Sequence, residues 1–257
     1  MTSAKNADRV TSATRRRCCV LDIEVAPDPH ARVLAGRRGS VPMSSPLNQI
    51  VNASAMTFYS DALGRLDGFD LTSFHRDEYG EADVVDNVEA ILDHVRGDDG
   101  FLVTYNGIAH DLPVLRARQL RWWQCSGRGI AEFAEGQGEH IDLMIEMAGA
   151  GGRWAALSDA CASVGFSLRG PVPIGETPHL PYETEKCELD VVGTSVLMLY
   201  VLAAKARSVE PLSRGLPALG RRLRTLAAAR PHLERFALSP LLQDDARAWG
   251  SEGGVAT

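Results

Sequence analysis

Along the 257 residues, apolar positions gather into short runs and into stretches with a helical repeat. Residues 18–23, CCVLDI, are apolar except for Asp22 and read as a buried strand with a polar residue near its end. Residues 26–46 are dense in Pro, Gly and Ser and read as a long loop. Residues 49–59 and 66–74 read as strands, and the turn-like 61–64 between them makes a hairpin. From 81 to 96, Val84, Val85, Val88, Ile91, Leu92 and Val95 recur at helical spacing, with acids on the other face. Residues 101–105 predict another strand. Asp111 before Leu112-Pro113 marks a helix N-terminus, as its cap or next to it, and that helix ends near Trp123. Residues 127–138 read as loop, 140–147 as a short strand or a helix start, and 154–164 as helix. Four prolines make 168–181 a loop, and 182–206 reads as one long helix. No internal repeat is visible.

Composition narrows the classes. Apolar residues make up 45% and charged residues 23%, an ordinary soluble balance. Lys plus Arg is 27 against 33 for Asp plus Glu, a formal charge of -6. A wholly basic nucleic-acid coat is thereby excluded, but a nucleic-acid enzyme is not, because local charge and bound metal count for more than the total. Apolar runs fall short of the roughly 20 residues of a membrane span, so no membrane partner is expected. The polar N-terminus lacks the apolar core of a secretory signal. Five cysteines without a CxxC pair argue against a disulfide framework or a Cys-type zinc site, so the expected compartment is reducing and cytoplasmic. Residues 1–17, ending in Arg15-Arg16-Arg17, read as a disordered basic tail, either simply solvated or an arm for a polyanion. Residues 207–257, rich in Arg, Ala and Leu, read as a helical extension with a disordered Gly-rich end rather than a second domain, and nothing in them names a protein partner.

The candidate chemistry starts at Asp22-Ile23-Glu24. Residues two apart on a strand share a face, and two carboxylates there repel and are costly to bury. A divalent cation between them removes the penalty through hard oxygen ligands; solvated strand-end acids are the plain alternative. Asp111 stands at a strand-to-helix junction. Asp190 lies early in a strongly apolar helix, among Val191, Val192, Val196 and Leu197. Together the four carboxylates can hold two Mg²⁺ or Mn²⁺ ions roughly 4 Å apart, the equipment for phosphodiester hydrolysis.

The segments VLDIEVAPD (20–28), VTYNGIAHDLPVLRAR (103–118), HIDLM (140–144), LSDACASVGF (157–166) and CELDVVGT (187–194) occur in the order and wording of a known family. Over residues 18–204 the chain resembles the DEDD (DnaQ-like) 3′–5′ exonucleases, closest to predicted exonucleases related to the proofreading domain of family B DNA polymerases. The resemblance implies a ribonuclease H-like α/β fold, with a central mixed sheet flanked by helices over residues 18–206. It implies 3′ ends of single-stranded DNA or RNA as substrate. Asp22 would bridge both metals, Glu24 and Asp190 would complete the nucleophile-side site, and Asp111 would hold the second ion mostly through water. Asn106 would shape the loop and contact the 3′-terminal nucleotide, which would stack beside Val25 and Ala26.

Two positions depart from the pattern. The tyrosine subclass carries Tyr four residues before the last Asp, where it orients the attacking water; here that residue is Lys186, and the histidine subclass position is Glu185. Lys186 shares a helix face with Asp190 and can bind the scissile phosphate, or act as a base if its pKa is depressed. Tyr182 stands one turn further away. The other reading is a site that keeps the fold without catalysis, a nucleic-acid- or partner-binding module. His110 replaces the usual Phe before Asp111, either as a packed histidine or as a proton-transfer group in the cleft. Arg116, Arg118 and Arg121, followed by Trp122-Trp123, make either a solvated face with a Trp anchor or a track for a single strand, with Arg118 the candidate substrate contact.

Overall fold

The structure, a computed structural model, describes residues 15–36, 45–61, 65–124, 126–148, 154–169 and 183–243. Five strands, β1 (Arg16–Pro27), β2 (Asn48–Ser60), β3 (Leu66–His75), β4 (Phe101–Thr104) and β5 (Glu139–Asp142), form one sheet in the order β3-β2-β1-β4-β5. β2 is antiparallel to β1 and β3, whereas β1, β4 and β5 run parallel. The helices are α1 (Pro29–Leu34), α2 (Arg76–Tyr79), α3 (Glu81–Gly97), α4 (Asp111–Arg121), α5 (Gly129–Ala134), α6 (Leu143–Ala148), α7 (Leu157–Ser163), α8 (Glu183–Ala206), α9 (Glu210–Ala227) and α10 (Glu234–Ala237). The mixed sheet flanked by helices is the ribonuclease H-like architecture, with a helical C-terminal segment.

The pleat of β1 divides the core. Cys19, Leu21 and Ile23 pack with Val84, Val88, Leu92, Leu112 and Leu115 of α3 and α4. Cys18 and Val20 pack on the opposite face with α8 and the C-terminal helices. With a period of two, Asp22 and Glu24 continue the parity of Cys18 and Val20 and so face α8.

α8 lies between the sheet and α7 and α9 and is apolar nearly all round for that reason. Glu185–Ala206 has the length of a membrane span and its most apolar stretch a mean hydropathy of 1.7, which corrects the expectation that no run reaches it; 72% of that stretch is buried inside the protein, as befits a core helix. Glu188 fixes α8 to two neighbours. Its carboxylate accepts from Ser73 Oγ on β3 (2.6 Å) and His232 Nε2 (2.7 Å), and Arg230 lies 3.4 Å away. Burial opposes its charge, but those hydrogen bonds and the Arg230 charge hold its carboxyl below the usual range. Residues 207–243 therefore belong to the main core: Leu216, Leu219, Leu223, Leu233, Phe236 and Leu242 join it.

Several expectations shift. The run expected as loop over 127–138 contains α5, because Asp93 and Glu89 of α3 accept the N–H groups of Gly129 (2.9 Å) and Ile130 (3.1 Å) and cap it from outside. The run 26–46 opens with the end of β1 and with α1, whose N-cap is Asp28. The strand begins at Arg16 rather than after a tail: Arg15 pairs with Asp67, Arg16 with Glu139, and Arg17 donates to Tyr59 Oη (2.8 Å). The remainder of the tail (1–14), turn residues 62–64, most of the proline-rich 168–181 and the Gly-rich end lie outside the described residues.

Candidate active site

Asp22, Glu24 and Asp190 come together where β1 meets α8, each offering a carboxylate oxygen within 4.8 Å of the others. The two elements are in direct contact, since Cys187 Sγ donates to the Asp22 carbonyl (3.2 Å). One turn of α8 sets Lys186 beside Asp190, and its ammonium donates to Asp190 Oδ2 (2.9 Å) and Glu24 Oε1.

Asp111 stands outside that group of three, at the start of α4, and its charge acts on Asp22 and Glu24. It is the first residue of α4, not its cap, and its acid in the first turn suits the helix dipole. His110 Nδ1 donates to Asp111 Oδ1 (2.7 Å). The approach to α4 is shaped at Asn106-Gly107. Asn106 has φ +70°, a left-handed conformation that Asn tolerates. A Cβ on Gly107 would stand 2.3 Å from Thr104 Oγ1, so only glycine permits the close turn. Asn106 thus shapes the loop as expected; its contact with a nucleotide is a proposal.

Burial and mutual repulsion dominate the electrostatics. Burial, then the charges of Asp111, Asp190 and Glu24, push the Asp22 carboxyl well above the usual range. Asp111 is also raised by burial, against the opposing hydrogen bond from His110, and Glu24 by burial against Lys186. That bond to Asp111 in turn raises the His110 pKa against burial. Lys186 is raised as well: burial lowers it, but Asp190 and Glu24 outweigh that. Among the described residues, Asp22 Oδ2 and Asp111 Oδ2 are buried with no hydrogen-bond partner. Unpartnered carboxylate oxygens in a cluster of hard ligands fit a divalent cation.

The remaining sequence candidates separate. Ala26 follows Glu24 by two along β1, whereas Val25 packs against the core on the α3 face. Tyr182 lies outside the described residues. Arg118 is a correction. Its side chain is 3% exposed and is held by Asp28 Oδ2 (2.7 Å) and by Glu81, so it binds α4 to the end of β1 and to α3 rather than lying open at the surface. Arg121 also lies near Asp28 (3.8 Å), and Arg116 donates to Gln119 Oε1 (2.7 Å).

Asp142, the acid of HIDLM, was assigned no role from sequence. Its Oδ1 accepts the N–H groups of Asn106 (2.9 Å) and Met144 (3.1 Å), and its Oδ2 that of Ile108 (3.0 Å). An Asp preceding an apolar helical run was the available signal. Asp142→Ala strands three N–H groups and loosens the loop that carries Asp111. The expected outcome is a 10- to 100-fold loss of Mn²⁺ affinity, the order seen when supporting partners of metal ligands are removed, measured by calorimetric titration of the variant.

No protein-family model matches the chain, and no curated protein matches it. Among solved structures, the chain is similar to the family B DNA polymerase from the hyperthermophilic archaeon Pyrobaculum calidifontis, with 17% identity over 87% of this chain and 27% of that one and a TM-score of 0.43. It is similar to exonuclease I, with 12% identity over 82% and 44% and a TM-score of 0.46. The zinc-bound form of the E. coli exonuclease I–single-stranded DNA complex gives 12% identity over 83% and 45%, with a TM-score of 0.44. The chain spans less than half the length of each of these neighbours.

Proposed function

We propose that the chain is a divalent-cation-dependent 3′–5′ exonuclease, hydrolysing phosphodiester bonds at the 3′ end of single-stranded DNA or RNA. The observation that carries this is the convergence of Asp22, Glu24 and Asp190 with the neighbouring Asp111, two of them with buried, unpartnered oxygens. Bound Mg²⁺ or Mn²⁺ would polarise the phosphoryl group and lower the pKa of a bound water. Asp22 and Asp111 supply the free oxygens to hold it. His110 orients the Asp111 carboxylate through Nδ1. Lys186 keeps its ammonium between Glu24 and Asp190, where it attracts a phosphate oxygen or a water. Ala26, at the rim beside Glu24, is the contact for the terminal nucleotide, with Val25 beneath it and Asn106 across the loop.

A second reading, a nucleic-acid- or partner-binding module without catalysis, is favoured by one observation: a lysine, not the water-orienting tyrosine of the resembling family, holds the carboxylates. A 5′-labelled linear single strand incubated in Mn²⁺ or Mg²⁺ decides between them. Stepwise shortening from the 3′ end, lost in Asp22→Ala and with chelator, is the expected result, and a circular strand should stay intact. Binding of the strand without shortening would leave the module as the function, and cutting of the circle would make the enzyme an endonuclease.

A further inference from the structure

We infer that Lys186 occupies the place of one of two cations, so that the site takes a single divalent ion, held by Asp22 and Asp111. The inference deepens the proposed metal-dependent function and rests on it. The four carboxylates fall into two pairs by their partners. Glu24 and Asp190 share one ammonium, which donates to both. Asp22 and Asp111 share none, and each keeps a buried oxygen without a hydrogen-bond partner among the described residues. The first pair is therefore already neutralised in part by a fixed charge, and the second has oxygen donors that no protein group satisfies.

The ammonium is built in rather than a chance contact. Lys186 and Asp190 are one helical turn apart on the face of α8 that meets β1, and Glu24 reaches the same nitrogen from the strand. A divalent ion seated between Glu24 and Asp190 would have to break both ammonium bonds and then stand against a like charge at close range. Asp22 and Asp111 instead each offer it a buried oxygen that has no hydrogen-bond partner among the described residues. An ammonium also has three donors, and two are used here, leaving one for water or a phosphate oxygen on the side where a second ion would otherwise act.

The test counts ions on the whole chain, independently of catalysis. Mn²⁺ is titrated into wild type, Lys186→Met and Lys186→Arg, with stoichiometry from calorimetry and bound Mn²⁺ from electron paramagnetic resonance. Wild type should bind one Mn²⁺ per chain. Lys186→Met should bind two, the pair showing the spin coupling of neighbouring ions, with the second at least tenfold tighter than any further binding to wild type. Lys186→Arg, which keeps the charge, should bind one. Lys186 is half-exposed, so both variants should keep the fold, checked by their melting curves. Two ions in wild type, or one in Lys186→Met, would overturn the inference and leave the metal-dependent nuclease standing. No ion in wild type would overturn both.

Discussion

Asp22→Asn should abolish nuclease activity and, at the same time, stabilise the metal-free protein. The loss follows from removing a ligand whose cation contributes several kcal/mol of charge stabilisation, about 10³-fold in rate or more at 1.36 kcal/mol per tenfold. The gain follows from the same crowding of carboxylates that a cation would relieve. Asp22 is pushed well above the usual carboxyl range by burial and by Asp111, Asp190 and Glu24, and its Oδ2 has no partner among the described residues. A group whose folded pKa exceeds its unfolded value binds its proton more tightly when folded. Its ionisation therefore costs stability increasingly as pH rises from the ordinary carboxyl pKa, about 4, through the folded value. Asparagine carries no such charge, and its amide can donate to the neighbouring carboxylates. The melting temperatures of wild type and Asp22→Asn should coincide near pH 4 and separate toward pH 7. The expected gap is about 1–3 kcal/mol, or roughly 2–10 °C for a chain of this size. Saturating Mn²⁺ should raise wild type and leave the variant nearly unmoved. Equal melting temperatures at pH 7 without metal would show that the cluster is relaxed rather than poised for a cation.

How much of this was legible in the sequence depends on how local each cause is. β2, β3, α3 and α8 follow from periodicity, because apolar spacing alone decides which face meets the core. The meeting of Asp22, Glu24 and Asp190 was legible in part, because strand parity aims Asp22 and Glu24 at one face and because five segments resemble, in order, those of a known family. That Lys186 sits beside Asp190 follows from helix geometry. That it also holds Glu24, 162 residues away, does not. α5 was missed because its start is capped by Glu89 and Asp93 on another helix, so its own sequence carries only Gly and short polar residues. Asp142 was overlooked for a related reason: half of its role lies at its own helix start, and the other half is the loop at Asn106–Ile108, more than thirty residues earlier.

Arg118 is the residue most misread from sequence, and its replacement should cost the most stability. In a row of arginines followed by two tryptophans it has the look of a nucleic-acid contact. Its partners, Asp28 and Glu81, lie 90 and 37 residues away, and both carboxylates are buried around it. Glu81 also accepts from the Ile50 N–H (2.7 Å) and Trp122 Nε1 (3.1 Å), and Asp28 caps α1, so each acid is tied to backbone it cannot leave. Arg118→Met removes the guanidinium and leaves two buried carboxylates uncompensated, a change expected to cost about 3–5 kcal/mol. Urea unfolding should show a lower midpoint at an unchanged slope. Arg118→Lys should recover little, because a single ammonium cannot reproduce the fork that bridges both acids. Neutralising the acids in the same chain, as Asp28→Asn and Glu81→Gln, should restore most of the stability, since the cost lies in the stranded charges and not in the lost side chain. If Arg118 served substrate instead, Arg118→Met would unfold at the wild-type midpoint with a raised KM for single strands. The structure predicts the reverse: a fragile protein that, while folded, binds its strand as before.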